Sequence, residues 1–226
     1  MNEWLAFSLI LFGIWLIIFA LKKKLRKEMI YVSLFTMLFG LTEPLFVPVY
    51  WNPPSLFNLA SKTGFDIESF IFSFAVGGIG AVLYNAFFQV RQLKMKKHEM
   101  KKHRFHKLAL FSPAIIFMPL IFTNLNPIYT ASIAMLIGGV ATMLCRPDLK
   151  KNLFFGGILF LALYFIFFFG INLAYPGFVA WVWNLSAISG ILILGVPLEE
   201  LIFAFTFGLL WAGIYEHMMW IKERNI

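Results

Sequence analysis

The chain has 226 residues, of which 61% are hydrophobic and 13% charged, with a formal net charge of +8 and a mean hydropathy of +0.82. A soluble domain carries about 25% charged and about 45–50% apolar residues, so a water-solvated globule is excluded and one membrane domain over residues 1–226 is predicted. The single Cys145 rules out an intrachain disulfide and any cage of cysteine ligands.

A bilayer core of about 30 Å needs roughly 20 helical residues per crossing. In chain order the apolar runs predict spans near 4–21, 29–46, 67–90, 108–123, 127–145, 153–174 and 198–221. The first lacks a basic leader and a small-residue exit, so it reads as a retained span rather than a cleaved signal peptide. Basic residues follow the first, third, fifth and seventh spans, which puts 18 of the 19 Lys and Arg on one side and leaves only Lys62 opposite. The positive-inside rule then places the N-terminus outside and the C-terminus in the cytoplasm, which needs an odd number of crossings. The run at 91–107, with three histidines, reads as a topology determinant touching anionic headgroups rather than as a nucleic-acid patch.

The chain also repeats itself. Residues 64–84 align without gaps to 195–215, with Gly64/Gly195, Glu68/Glu199, Ile71/Ile202, Phe72/Phe203, Phe74/Phe205, Gly77/Gly208, Ala81/Ala212 and Tyr84/Tyr215 identical. Upstream, Trp51-Asn52 corresponds to Trp183-Asn184 with a one-residue shift. The predicted fold is therefore an all-α, multi-pass protein of the cell membrane with about seven transmembrane helices. Two parallel three-helix repeats, about 1–92 and about 125–222, are joined by a connecting helix at about 105–124, and a pseudo-two-fold axis along the membrane normal relates them.

Acidic residues divide into two groups. Glu28, Glu99, Asp148 and Glu223 sit among basic residues, where solvated pairing explains them, and Glu216 lies near the inner end of the last span beside His217. Glu43, Asp66, Glu68, Glu199 and Glu200 gather at the outer ends of spans two, three and seven with almost no basic residue nearby. Asp66 and the Pro197-Leu198-Glu199-Glu200 step are also ordinary helix starts, but recurrence of the Glu in both repeats favours a site, because charge at membrane depth is costly. Glu68 and Phe72, like Glu199 and Phe203, are one turn apart and share a helix face. Like charges crowded in an apolar cleft cannot all ionise, so a protonated acid beside an ionised one is expected, which is a general acid–base pair. Tyr50, Trp51, Tyr175 and Trp183, with Asn52 and Asn184, lie in the two outer connections. They suit an interfacial belt, and their ring faces also suit a carbocation.

Gly195-Val196-Pro197-Leu198-Glu199-Glu200-Leu201-Ile202-Phe203 resembles the P-x-E-[E/D] signature of the bacterial, archaeal and fungal lycopene cyclases, the heterodimeric or tandem-fused membrane type. The first repeat departs from it, with Asp66-Ile67-Glu68-Ser69 lacking the Pro and the second acid. The resemblance implies redox-neutral cyclisation of the linear ends of lycopene to ionone rings without a cofactor, with Glu199 or Glu200 as proton donor and a lycopene-like polyene as partner. Gly77-Gly78-Ile79-Gly80 does not complete a dinucleotide fingerprint, so no flavin is expected. A retinal-binding protein would need a Schiff-base lysine, absent from 198–221, and an aspartate-rich prenyltransferase would need more than Asp66 and Asp148. A carotenoid hydratase, a non-catalytic paralogue and a small proton- or cation-coupled transporter remain alternatives. A homo-oligomer is left open, although the duplication favours a self-sufficient chain.

Overall fold

The computed structural model describes residues 2–88 and 90–225, so Met1 and Gln89, inside the predicted first repeat, lie outside the described residues. Helix α1 (Glu3–Leu21) starts at Asn2, whose side chain accepts the Leu5 amide at 2.6 Å. Helix α2 (Arg26–Met37) is continued by a 3-10 stretch, Leu38–Thr42, and a last turn, Glu43–Phe46. Asp66 caps α3 (Ile67–Phe87), and strand β1 (Val90–Lys94) follows. Helix α4 (His106–Leu120) holds Pro113 and Pro119. Asn126 caps α5 (Pro127–Cys145), and α6 (Lys150–Ala174) is next. Strands β2 (Leu192–Ile193) and β3 (Val196–Pro197) form a small hairpin before α7 (Leu198–Trp211), α8 (Ile214–Met218) and β4 (Ile221–Asn225).

Among the described residues six helical segments are long and apolar enough to cross a membrane: Glu3–Leu21, Lys23–Phe46, Ile67–Phe87, Pro127–Cys145, Pro147–Ala174 and Leu198–Met218. Many of their Leu, Ile and Phe side chains, such as Ile10, Ile17 and Ile166, are exposed on the outside of the bundle, the arrangement that lipid rather than water favours. Helix α4 is apolar but has only 15 residues. It ends at Leu120, before the predicted 123, where a Thr-Asn-rich turn follows.

The fold is nearly, not wholly, helical. Strand β1 pairs antiparallel with β4, with Gln92 opposite Glu223, and this ends the third and last spans earlier than their apolar runs suggested. Both partners sit just after helices and mix charged with apolar residues, and they lie far apart in the chain, so neither carries a local strand signal.

Helix α3 packs on α1 and α2, α7 packs on α5 and α6, and the two trios meet where α3 contacts α6 and α7; α4 lies against α5. Glycines set the closest approaches. A Cβ on Gly77 would overlap Thr36 of α2. One on Gly208 would lie 2.6 Å from the Phe160 Cβ and 2.9 Å from the Gly156 carbonyl of α6. The bundle has two chemically distinct ends. Asn2, Asp66 and Glu68 meet at one, hereafter the acidic end, while Lys22 donates to the Ala86 carbonyl at the other, 2.6 Å away.

Candidate active site

All five predicted carboxylates are buried at the acidic end. Glu200 is the most fully held. Its Oε1 accepts the Tyr50 hydroxyl at 2.5 Å and the Trp183 indole N–H at 2.8 Å, and its Oε2 accepts the Tyr164 hydroxyl at 2.9 Å. All three partners donate to it, so both carboxylate oxygens are held in place. Burial, and then the Glu200 charge, hold the Tyr50 phenol well above its ordinary range, so it remains a donor.

Glu199 and Glu68 are held differently from Glu200 and alike to each other. Glu199 Oε1 accepts the Tyr129 hydroxyl at 2.5 Å and the Ser189 amide at 2.9 Å. Glu68 Oε1 accepts the Asn2 side-chain amide at 2.8 Å and the Leu56 amide at 2.7 Å. In each case one donor comes from the start of the first helix of the same trio and the other is a backbone N–H of the connection before the glutamate's own helix. The second oxygen of each, Oε2, is buried with no hydrogen-bond partner among the described residues. Asp66 Oδ1 caps α3 through Ser69, and burial raises this carboxyl above its usual range. Glu43, near Asp66, Ser69 and Trp51, has an unpartnered Oε1.

Aromatic rings cover this group. Trp51 and Trp183 lie 5.4 Å apart, and Trp4 packs on Trp51 at 4.6 Å and Phe72 at 5.1 Å. Tyr164 stands between Phe72 and Phe203, 6.4 Å from each. Tyr175 is set apart, packed on Phe7 at 5.5 Å and half exposed. Asn52 and Asn184 are exposed, and their backbones make matching bonds, with Asn52 N–H donating to the Val182 carbonyl at 2.8 Å and Asn184 N–H to the Tyr50 carbonyl at 2.9 Å; the Asn184 side chain also donates to the Val49 carbonyl at 3.3 Å and accepts from the Ser186 hydroxyl at 2.8 Å.

Sequence reasoning missed Tyr129, Tyr164 and Asn2 as carboxylate partners. The available signal was an isolated tyrosine within an apolar span, as at Tyr164 in its Phe-rich run. It also misplaced two acids at the basic end. Asp148 pairs with Arg146 at 2.7 Å and Glu99 with Lys222, as expected. Glu28 and Glu223 have amide partners instead: Glu28 is buried and accepts from Gln92 at 3.0 Å, and Glu223 accepts from Asn152 at 2.8 Å. Gln92 also donates to buried Glu216 at 2.8 Å, and Asn85 to the same oxygen at 3.1 Å. Folding α2, α8 and the β1–β4 ribbon together removes these acids from the water that the neighbouring lysines implied.

The fold is thus a helical bundle with segments long and apolar enough to cross a membrane and a cluster of buried carboxylates, packed among aromatic rings, at one end. Residues 126–218, which carry Glu199 and Glu200, match the family model described as lycopene cyclase. No curated protein and no solved structure was found to match.

Proposed function

We propose that the protein cyclises the linear ends of lycopene, or a related carotene, to ionone rings by redox-neutral acid–base chemistry through a carbocation. The observation that carries this reading is the shared arrangement of Glu68 and Glu199, each with one oxygen fixed by two donors and the other uncommitted beneath aromatic rings. The uncommitted Oε2 of Glu199 gives a proton to the terminal double bond, leaving a tertiary cation. A neighbouring double bond attacks that cation and closes the ring. A carboxylate of the cluster then removes a proton to leave the ring alkene, so the proton balance is zero and no oxidant or reductant is consumed. Glu200, held by three donors, serves as the fixed negative charge opposite the developing cation. Trp51, Trp183, Phe72 and Phe203 add ring faces and exclude the water that would quench it.

Several features of the wider reading belong to the same proposal. Helix α4, with its flanking turns, makes the seventh crossing as the connector between repeats, and the basic end faces the cytoplasm and its anionic headgroups in a multi-pass protein of the cell membrane. The matching α1–α2–α3 and α5–α6–α7 packing and the reciprocal Asn52 and Asn184 bonds support a pseudo-two-fold relation between the halves.

Lycopene supplied to membranes containing the expressed protein should yield cyclic products of unchanged redox state. Hydroxylated acyclic products, or no conversion, would sink the cyclase reading. Glu199→Gln should lower conversion by about 10²–10⁴-fold, the usual worth of a positioned proton carrier.

A further inference from the structure

At the basic end, away from the carboxylates of the proposed reaction, the only cysteine of the chain meets two of its four histidines. His106 opens α4, Cys145 ends α5 and His217 lies in α8. One donor atom from each, two imidazole nitrogens and the thiol sulfur, falls within 4.8 Å of the others. We propose that His106, Cys145 and His217 form a three-coordinate site for a soft metal ion, monovalent copper in preference to zinc.

Two further observations point to a ligand there. Among the described residues His106 Nδ1 and His217 Nε2 have no hydrogen-bond partner, and both are buried, on residues 7% and 0% exposed. Leaving two ring nitrogens dry and unpaired costs free energy that a metal bond would recover. The rings are also held in place, as metal-binding imidazoles usually are. Trp220 stacks on His106 at a centroid distance of 3.7 Å, the two histidine rings stand edge to face at 4.3 Å, and the Thr142 hydroxyl lies 3.4 Å from His217 Nδ1. Cys145 is partly exposed, which leaves an entry path.

Geometry and charge choose the ion. Metal–nitrogen bonds of about 2.0 Å and metal–sulfur bonds of about 2.3 Å place trigonal donors about 3.5–3.7 Å apart, so separations of up to 4.8 Å need to close by no more than about 1.3 Å. Zinc wants a fourth ligand, whereas a thiolate with two imidazoles is a soft donor set that suits monovalent copper. With one thiolate, monovalent copper makes a neutral unit. Zinc would leave a net positive charge close to the buried Arg146, which is costly at low dielectric.

The test uses the full-length protein in detergent, stripped with a chelator and titrated with Cu(I) buffered by bicinchoninate, in parallel with Zn2+. One equivalent of Cu(I) is expected to be withdrawn from the competitor, and X-ray absorption should show two nitrogen neighbours and one sulfur. Cys145→Ser and His106→Gln should each weaken binding by about 100-fold or more, beyond the effect of losing an outer partner. The absorption spectrum of the unmodified protein decides the matter even if a variant fails to fold. Absence of stoichiometric binding, a copper spectrum without sulfur, preferential binding of Zn2+, or unchanged affinity in both folded variants would overturn the proposal.

Discussion

Trp51 and Trp183 face each other in an isolated antiparallel bridge, with their rings 5.4 Å apart and tilted by 50°. The same dipeptide, Trp-Asn, is thus used twice and clasped to itself. The two members are nonetheless unequal, because only Trp183 donates to a carboxylate among the described hydrogen bonds.

That inequality gives the first prediction. Trp183→Phe keeps a ring but removes the 2.8 Å bond to buried Glu200, and a hydrogen bond to a charged group contributes about 1.5–3 kcal/mol. The variant should unfold at lower temperature in detergent and lose most of the proposed cyclising activity, while Trp51→Phe should be milder in both assays. Equal effects would remove the special role given to Glu200.

The glycines that set helix spacing supply a second. Gly77→Ala and Gly208→Ala place a methyl group against Thr36 and Phe160 respectively, and overpacking of this kind costs about 1–3 kcal/mol. Gly13 and Gly170 have open space within 4 Å, and alanine there should be neutral or stabilising by up to about 1 kcal/mol through helix propensity. Thermal unfolding of the four variants, read together, checks the ranking.

The third concerns pH. Burial pushes the Glu223 carboxyl from 4.5 up to about 7. The folded state therefore holds this proton when the unfolded chain has lost it, and stability must fall as pH rises from about 4.5 through about 7. Glu99 runs the opposite way. Its bond with Lys222 holds it down at about 2, so its contribution is present above about 4.5 and fades as pH drops toward 2. Glu223→Gln should flatten the loss seen between pH 5 and pH 8, and Glu99→Gln should leave that window unchanged. Unfolding midpoints across this range distinguish them.

Arg146 provides the fourth. Its guanidinium is fully buried, grips Asp148 with two nitrogens at 2.9 and 2.7 Å, and also donates to the carbonyls of Glu216 (3.3 Å) and Ile221 (2.5 Å). Lysine offers one point charge instead of a planar fork. Arg146→Lys should therefore destabilise by about 1–3 kcal/mol, the cost of leaving buried acceptors unpaired. Hydrogen exchange of the β1–β4 ribbon should rise in the same variant, since Ile221 opens β4.

Much of this was readable before any coordinates. Apolar runs of span length mark the long helices because lipid removes ambiguity about what an apolar residue is for. Glu68, Glu199 and Glu200 stand out because a carboxylate in such surroundings needs a reason. The donors did not stand out. Tyr129 and Tyr164 come from other helices, and only packing brings their hydroxyls to Glu199 and Glu200. Glu28 and Glu216 were hidden for a related reason, since their partner Gln92 belongs to a strand that exists only when β4 closes against it. The predicted fourth span runs three residues past the end of helix α4 because hydropathy does not register the Thr-Asn-rich turn that follows Leu120.

The bond from Tyr50 to Glu200 joins residues 150 positions apart. Chains are synthesised at about 5–20 residues per second, so Tyr50 waits about 8–30 s before its carboxylate exists. During that interval α1, α2 and α3 reside in the bilayer with the backbone groups of Tyr50 and Asn52 still lacking their later partners. The acid cluster is therefore among the last features to be assembled, and a chain halted before α7 can carry Glu68 yet has no Glu199 or Glu200 to complete it.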